Sequence, residues 1–181
     1  MKLKKTVVFV GMMGAGKTAV GRTLAQQLRV PFVDSDDEIE AAAAATISEI
    51  FAKHGENFFR EKEARVIARL LEAPPHILAT GGGAFLQEIN RTEIAARAVS
   101  VYLDADLTTL WSRVAHKTTR PLLRTADPRA TLERLWNARA PTYARADITV
   151  RSAGGQSLAQ TAAEVTHALL SRPDVLSEEE A

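Results

Sequence analysis

With 181 residues, 46% hydrophobic and 25% charged, a net charge of +1 and no cysteine, the chain has the composition of one globular domain. The balanced charge argues against a nucleic-acid or membrane surface. The lack of cysteine excludes a disulfide scaffold, a thiolate zinc site and a cysteine nucleophile.

In chain order, Thr6-Val-Val-Phe-Val10 is a short β-branched and aromatic run, the pattern of a buried strand. Met1-Lys-Leu-Lys-Lys5 ahead of it resembles the start of a signal peptide, but the apolar part is soon interrupted by Lys17 and Arg22. No stretch approaches the ~20 apolar residues that span a bilayer, so a cytoplasmic protein is expected. Gly11-Met-Met-Gly-Ala-Gly-Lys17-Thr18 then fits G-x-x-x-x-G-K-[ST], the Walker A phosphate loop. Val20, Leu24 and Leu28 recur at i, i+4 and i+8, placing a helix over about 17–28. The loop therefore sits between a strand and a helix N-terminus, where free N–H groups and the helix dipole favour phosphate. It assigns ATP phosphates to Gly14, Ala15, Gly16, Lys17, Thr18 and Ala19, with the Thr18 hydroxyl offered to Mg²⁺.

Pro31 ends that helix, and Phe32-Val33-Asp34 reads as a second strand. Ser35-x-x-Glu38 and Thr46-x-x-Glu49 both have capping-box form, each opening a helix, with the alanine run 41–45 between them. Gly55 punctuates, and a further helix is expected over about 57–71, ended by Pro74-Pro75. A third strand over 76–80 leads into Gly81-Gly82-Gly83, and a helix follows within 86–97. A fourth strand spans 98–103 with a helix over about 106–115, for which Asp104 is the expected cap. The segment from about 113 to 125 reads as a mobile lid. Asp127-Pro128 opens a helix running toward Arg139, where Pro141 disturbs it. A fifth strand lies at 147–151, and Ser157-x-x-Gln160 opens a last helix. The expectation is one α/β domain over 1–172 on a parallel sheet, with a frayed tail over 173–181.

Four groups carry candidate chemistry. Asp34 ends an apolar strand and Asp36 follows at i+2, so an extended chain would put both on one face. One carboxylate would then serve the metal and the other accept a proton from a hydroxyl; a capping cluster formed with Asp37 and Glu38 accounts for the same residues. Arg60, beside Phe58 and Phe59, suits bidentate carboxylate binding with Glu63 at i+3 holding it, or is an exposed helical ion pair. Gly81, Gly82 and Gly83 let backbone approach a ligand closely, or form a flexible loop. Arg113, Lys117, Arg120 and Arg124 are four cations in twelve residues without an acid, either a solvated face or a lid that neutralises transferring phosphate. Arg139 is a second arginine for substrate or phosphate. Trp111 and Trp136 read as packing, and the four histidines lack metal-ligand spacing.

Taken as an ordered set from Thr6 to Arg151, the motifs Gly11–Thr18, Asp34-Ser-Asp36, Phe59-Arg60-Glu-Lys-Glu63, Thr80-Gly-Gly-Gly83, Arg120-Pro-Leu-Leu and Arg139-Ala-Pro-Thr-Tyr143 resemble the shikimate kinases. The resemblance implies a nucleoside-monophosphate-kinase-like fold with a five-stranded parallel sheet in order 2-3-1-4-5. It implies transfer of the ATP γ-phosphate to the 3-hydroxyl of shikimate, in the route to aromatic amino acids. It also implies Mg²⁺ served by Thr18 and by Asp34 through water, Asp36 on the shikimate hydroxyls and as base, and Arg60 and Arg139 on the carboxylate. Gly81, Gly82 and Gly83 would line the acceptor pocket, Lys17 would reach the β- and γ-phosphates, Arg120 would come from the lid, and Arg113 would stack on adenine. Shikimate and ATP are the expected partners of a monomer that binds neither nucleic acid nor membrane. A gluconate kinase on the same fold and a regulatory module without catalysis are the rival readings.

Overall fold

The computed structural model describes residues 1–116 and 121–178. Its centre is a five-stranded sheet of β1 (Thr6–Val10), β2 (Phe32–Asp34), β3 (Ile77–Ala79), β4 (Ala98–Asp104) and β5 (Ile148–Arg151). Every pairing is parallel and the order is β2-β3-β1-β4-β5. This is the order that the resemblance implied. Strand β1 is buried along its whole length because it has neighbours on both sides and helices on both faces.

Seven helices make the connections among the described residues: α1 (Lys17–Leu28), α2 (Ser35–Ala43), α3 (Ile47–Leu71), α4 (Glu88–Arg97), α5 (Leu107–Val114), α6 (Pro128–Tyr143) and α7 (Leu158–Leu170). The β1–β2 crossover runs one way along the sheet and the later crossovers run the other, so right-handed connections place α1 on one face and α3 and α4 on the opposite one. The last helix, α7, packs with α1, and α3 packs with α4. The reversal of direction occurs at β1, so the carboxyl ends of β1 and its neighbours frame the crevice where such sheets hold ligands.

Local chemistry explains most boundaries. The capping boxes at Thr46 and Ser157 are both formed, and Asp127 caps Ala130 N with Pro128 at the first helical position. Two expected caps are different. Asp34, not Ser35, caps α2, accepting from Asp36 N at 3.0 Å, while Ser35 is buried within the helix. Asp106, not Asp104, caps α5 through Thr109 N at 2.8 Å, because β4 runs on through Asp104. The alanine run carries α2 only as far as Ala43. Ala44 turns left-handed at φ 48°, and Glu40 Oε1 reaches across the turn to Ile47 N at 2.9 Å.

Gly55 leaves helical dihedrals at φ 81°, ψ 175° and separates two helical stretches across a kink within α3, as its place in the sequence predicted. Pro141 lies inside α6, which continues to Tyr143. A 3₁₀ turn over Ala84–Leu86 precedes α4. Arg113 belongs to the body of α5 and not to a loop, because Leu110 and Val114 on that helix are buried in the core; the lid's expected first boundary is therefore too early. The tail is not frayed from 173. Leu176–Ser177 pairs antiparallel with Lys2–Leu3, Val175 and Leu176 are buried, and Lys5 meets Asp174 at 2.9 Å. Three scattered charges and a proline concealed that ribbon from any periodicity.

Candidate active site

The phosphate loop joins the end of β1 to α1. Gly16 is the N-cap of α1 at φ 99°, a conformation that leaves the first amides pointing into the loop. Gly14 has φ +81°, and a Cβ there would lie 2.8 Å from Val114 Cγ1; the loop lies directly on α5. Lys17 Nζ donates to the carbonyls of Gly11 and Met12, each at 2.8 Å, folding its ammonium over the cradle. Ala15 is fully buried and Ala19 exposed, so neither side chain carries polar chemistry and only their backbone can face phosphate.

The Thr18 hydroxyl donates to Asp34 Oδ2 at 2.9 Å, although sixteen positions separate them in sequence. Strand β2 ends beside the start of α1, which brings the two together. A hydroxyl next to one carboxylate is a hard-oxygen donor set suited to Mg²⁺ that keeps waters and phosphate oxygens as its other ligands. No group of three or more His, Cys, Asp or Glu side chains able to hold a metal by themselves occurs among the described residues. A divalent ion here would need the nucleotide to complete its shell.

Asp34 and Asp36 converge, but not by alternation along an extended chain. Asp34 closes β2 and caps α2, while Asp36 stands in the first turn of that helix. Burial, followed by the neighbouring Asp34 charge, pushes the Asp36 carboxyl up to about 6, and Lys17 pulls the other way. The capping reading and the chemical reading thus apply to different members of the cluster: Asp34 caps, and Asp36 is left available.

The acceptor side is built on the turn after β3. A Cβ on Gly81 would lie 2.7 Å from Asp36 Oδ1, and one on Gly83 would lie 2.6 Å from Arg60 Nη1. On Gly82 the nearest groups would be Arg139 Nη1 and Met13 N, each at 3.7 Å, an ordinary contact distance. Each glycine thus faces one of the three charged side chains chosen from sequence, and at Gly81 and Gly83 the missing side chain gives the charged group its space. Gly83 has ordinary helical dihedrals, φ −86° and ψ −14°, so room and not backbone strain is what it supplies.

Arg60 is fixed by Glu63 at 2.8 Å, and Glu63 is 1% exposed. Burial raises the Glu63 carboxyl above its ordinary range against the pull of Arg60. The two form an ion pair nonetheless, because the contact is short and the arginine lies directly on the carboxylate. Arg60 also packs over the Phe59 ring at 5.1 Å. It is therefore no exposed helical pair.

Arg113 Nη1 donates to Gly14 O and Ala15 O at 3.1 Å each, and to Ser152 Oγ at 3.2 Å. It thereby ties α5 to the backbone of the phosphate loop. Ser152 in turn donates to Ala15 O at 3.0 Å. Arg120 and Lys117 fall outside the described residues.

Sequence reasoning missed three braces. Ser152 supports the phosphate loop; Asn90 Nδ2 holds Ala84 O at 2.9 Å; and Arg91 Nη1 holds the carbonyls of Phe85 and Leu86 at 2.8 and 2.7 Å. Each acts on backbone carbonyls, whose demand for donors no residue pattern announces.

Comparison with known proteins agrees with this geometry. The family model described as shikimate kinase matches residues 13–170. A shikimate kinase of Ruegeria pomeroyi is 64% identical over 96% of this chain and 89% of its own length. One from Cereibacter sphaeroides is 61% identical over 99% and 89%. The solved shikimate kinase from Acinetobacter baumannii in complex with shikimate superposes with a TM-score of 0.87 at 38% identity, covering 92% of this chain and 93% of that one. The chain belongs to the shikimate kinase family.

Proposed function

We propose that this protein transfers the γ-phosphoryl group of ATP to the 3-hydroxyl of shikimate, giving shikimate 3-phosphate and ADP on the route to aromatic amino acids. The carrying observation is that Gly81, Gly82 and Gly83 present their backbone to Asp36, Arg139 and Arg60 in turn, directly beside the phosphate loop. A small carboxylated polyol needs that combination: cations for its carboxylate, a carboxylate for its hydroxyls, and close backbone.

Arg60, held by Glu63, grips the carboxylate from one side and Arg139 from the other, which fixes the ring. Asp36 accepts hydrogen bonds from the acceptor hydroxyls and takes the proton of the attacking one. A carboxyl at about 6 is ionised at neutral pH yet more basic than an ordinary aspartate, which favours proton transfer. Lys17 leaves its carbonyl partners to reach the β- and γ-phosphates, and the amides of Gly14 to Ala19 hold the phosphate oxygens. Thr18 and Asp34 would hold Mg²⁺, Asp34 through water, and the ion would supply neutralisation of the phosphate charge. Arg113 borders the adenine, and Arg120 adds positive charge for the transferring group. Catalysis is then positioning and electrostatics without a covalent intermediate.

The protein is read as a cytoplasmic monomer. No helix among the described residues is long and apolar enough to cross a membrane. Among the described residues, the large exposed apolar side chains, Met1, Ile89, Leu122 and Leu158, belong to four separate segments. The test is ADP release from ATP and Mg²⁺ with shikimate, gluconate or AMP as acceptor. Turnover with shikimate alone supports the reading. Turnover with gluconate alone would overturn the acceptor assignments, and ATP binding without turnover on any acceptor would favour a regulatory module.

A further inference from the structure

The reading above leaves Tyr143 without a task. It is fully buried at the end of α6, one turn after Arg139, and its hydroxyl donates to the carbonyl of Gly82 in a short hydrogen bond. Arg139 lies on the same helix and beside the same turn: its Nη1 would be 3.7 Å from a Cβ on Gly82. The Tyr143–Gly82 hydrogen bond thus ties the helix that carries Arg139 to the glycine turn, across 61 sequence positions. Burial pushes the Tyr143 phenol above its ordinary range, so it remains a donor throughout the working pH range. The ring is held from behind by Tyr102, with centroids 5.5 Å apart, and Tyr102 is itself tied to Asp104 Oδ1 at 3.0 Å.

We propose that Tyr143 is a positioning residue for the acceptor: its hydroxyl joins the Gly82 turn to the helix that carries Arg139 one turn earlier, so that pocket wall and carboxylate clamp meet the substrate as one preset unit. The proposal rests on shikimate being the acceptor. Without the hydroxyl, Gly82 O would lose this donor, and the turn would lose its tie to the helix of Arg139. The hydroxyl also makes a weak contact with Met12 Sδ at 4.0 Å, but the phosphate loop keeps its own supports in Arg113 and Ser152, so the loss falls mainly on the acceptor side.

The test is Tyr143→Phe, which keeps the stacked ring and removes only the oxygen. Calorimetric titration should show the shikimate Kd rising about two- to tenfold, the worth of one ordinary hydrogen bond, with the ATP Kd unchanged and shikimate KM rising more than kcat falls. Hydrogen–deuterium exchange over residues 80–86 should quicken. Unchanged shikimate affinity in a folded variant would overturn the proposal, as would equal losses for shikimate and ATP, since a packing defect would produce that. In the wild-type chain, independent of any variant, NMR should find a slowly exchanging Tyr143 hydroxyl proton that shifts when shikimate saturates the site. No shift overturns the coupling. A wild-type chain that neither binds nor phosphorylates shikimate overturns instead the reading on which the proposal stands.

Discussion

Replacing Asp36 with asparagine should destroy activity and stabilise the fold, and the second effect should have a definite pH signature. The folded carboxyl is pushed from an ordinary 3.8 to about 6, first by burial and next by Asp34. A raised acid pKa means that the folded state holds its proton while the unfolded chain has already released it. Below about pH 4 the group is protonated in both states and contributes nothing. As pH rises through the interval up to about 6, stability is lost, and above it the full penalty persists. The gap of roughly two pH units is worth about 2–3 kcal/mol once the partial exposure of Asp36 is discounted. The asparagine amide does not titrate, so the variant should exceed the wild type by that amount at pH 8, raising Tm by about 5–10 °C. The excess should shrink steadily toward pH 4. Urea unfolding of both nucleotide-free proteins across pH 4–8 measures this, alongside kcat, which should fall at least ~100-fold with the base removed. A variant of equal or lower stability at pH 8, or a difference that does not change with pH, would refute the argument that the site holds a costly buried carboxylate.

Other perturbations separate the parts of the site. In the wild type, kcat/KM for shikimate should fall on the acid side with a midpoint near the Asp36 value of about 6; a profile flat down to pH 5 would remove Asp36 as base. Arg60→Ala should raise shikimate KM strongly and leave the Glu63 charge buried and uncompensated, costing about 3–5 kcal/mol by chemical denaturation; wild-type KM and stability would place the clamp elsewhere. Gly83→Ala would set a Cβ 2.6 Å from Arg60 Nη1. Because the guanidinium is the flexible end of its side chain, the fold should survive with a near-normal melt while shikimate KM rises about tenfold or more, the loss of a charge-assisted contact. An unchanged KM there would show that Arg60 does not need its present position.

The legibility of this chain followed the range over which each signal acts. The phosphate loop, the capping boxes at Thr46 and Ser157, and the Asp127-Pro128 start are set by residues within a few positions of one another, and all are formed. Spacing also nominated Asp36, Arg60 and the three glycines, though it could not show that each glycine serves one charge, since that contact depends on β2, β3 and α3 being brought together. Errors arose where a neighbour outcompeted the local pattern. Asp34 took the cap expected of Ser35 because the strand end holds its carboxylate over Asp36 N. Asp106 took the cap expected of Asp104 because pairing with β5 keeps Asp104 in the strand. The ribbon joining Lys2–Leu3 to Leu176–Ser177 was hidden for the same reason, its two halves lying at opposite ends of the sequence.

The register between β1 and β3 has a geometric consequence. Phe9 is aligned with Ala79, and immediately beyond, Thr80 binds Phe9 O through both its amide at 3.3 Å and its hydroxyl at 2.9 Å. The donor loop and the acceptor turn thus leave the sheet from adjacent rails, about 4.8 Å apart, with a crosstie at the point of departure. Their separation is a dimension of the sheet and not a setting of either loop, so thermal agitation at the loop tips cannot accumulate into drift between the two reacting groups. A change that slid β3 by one residue would displace the whole acceptor platform by about 3.3 Å along the rail and would turn its side chains to the opposite face, a larger error than any single substitution in the pocket could make.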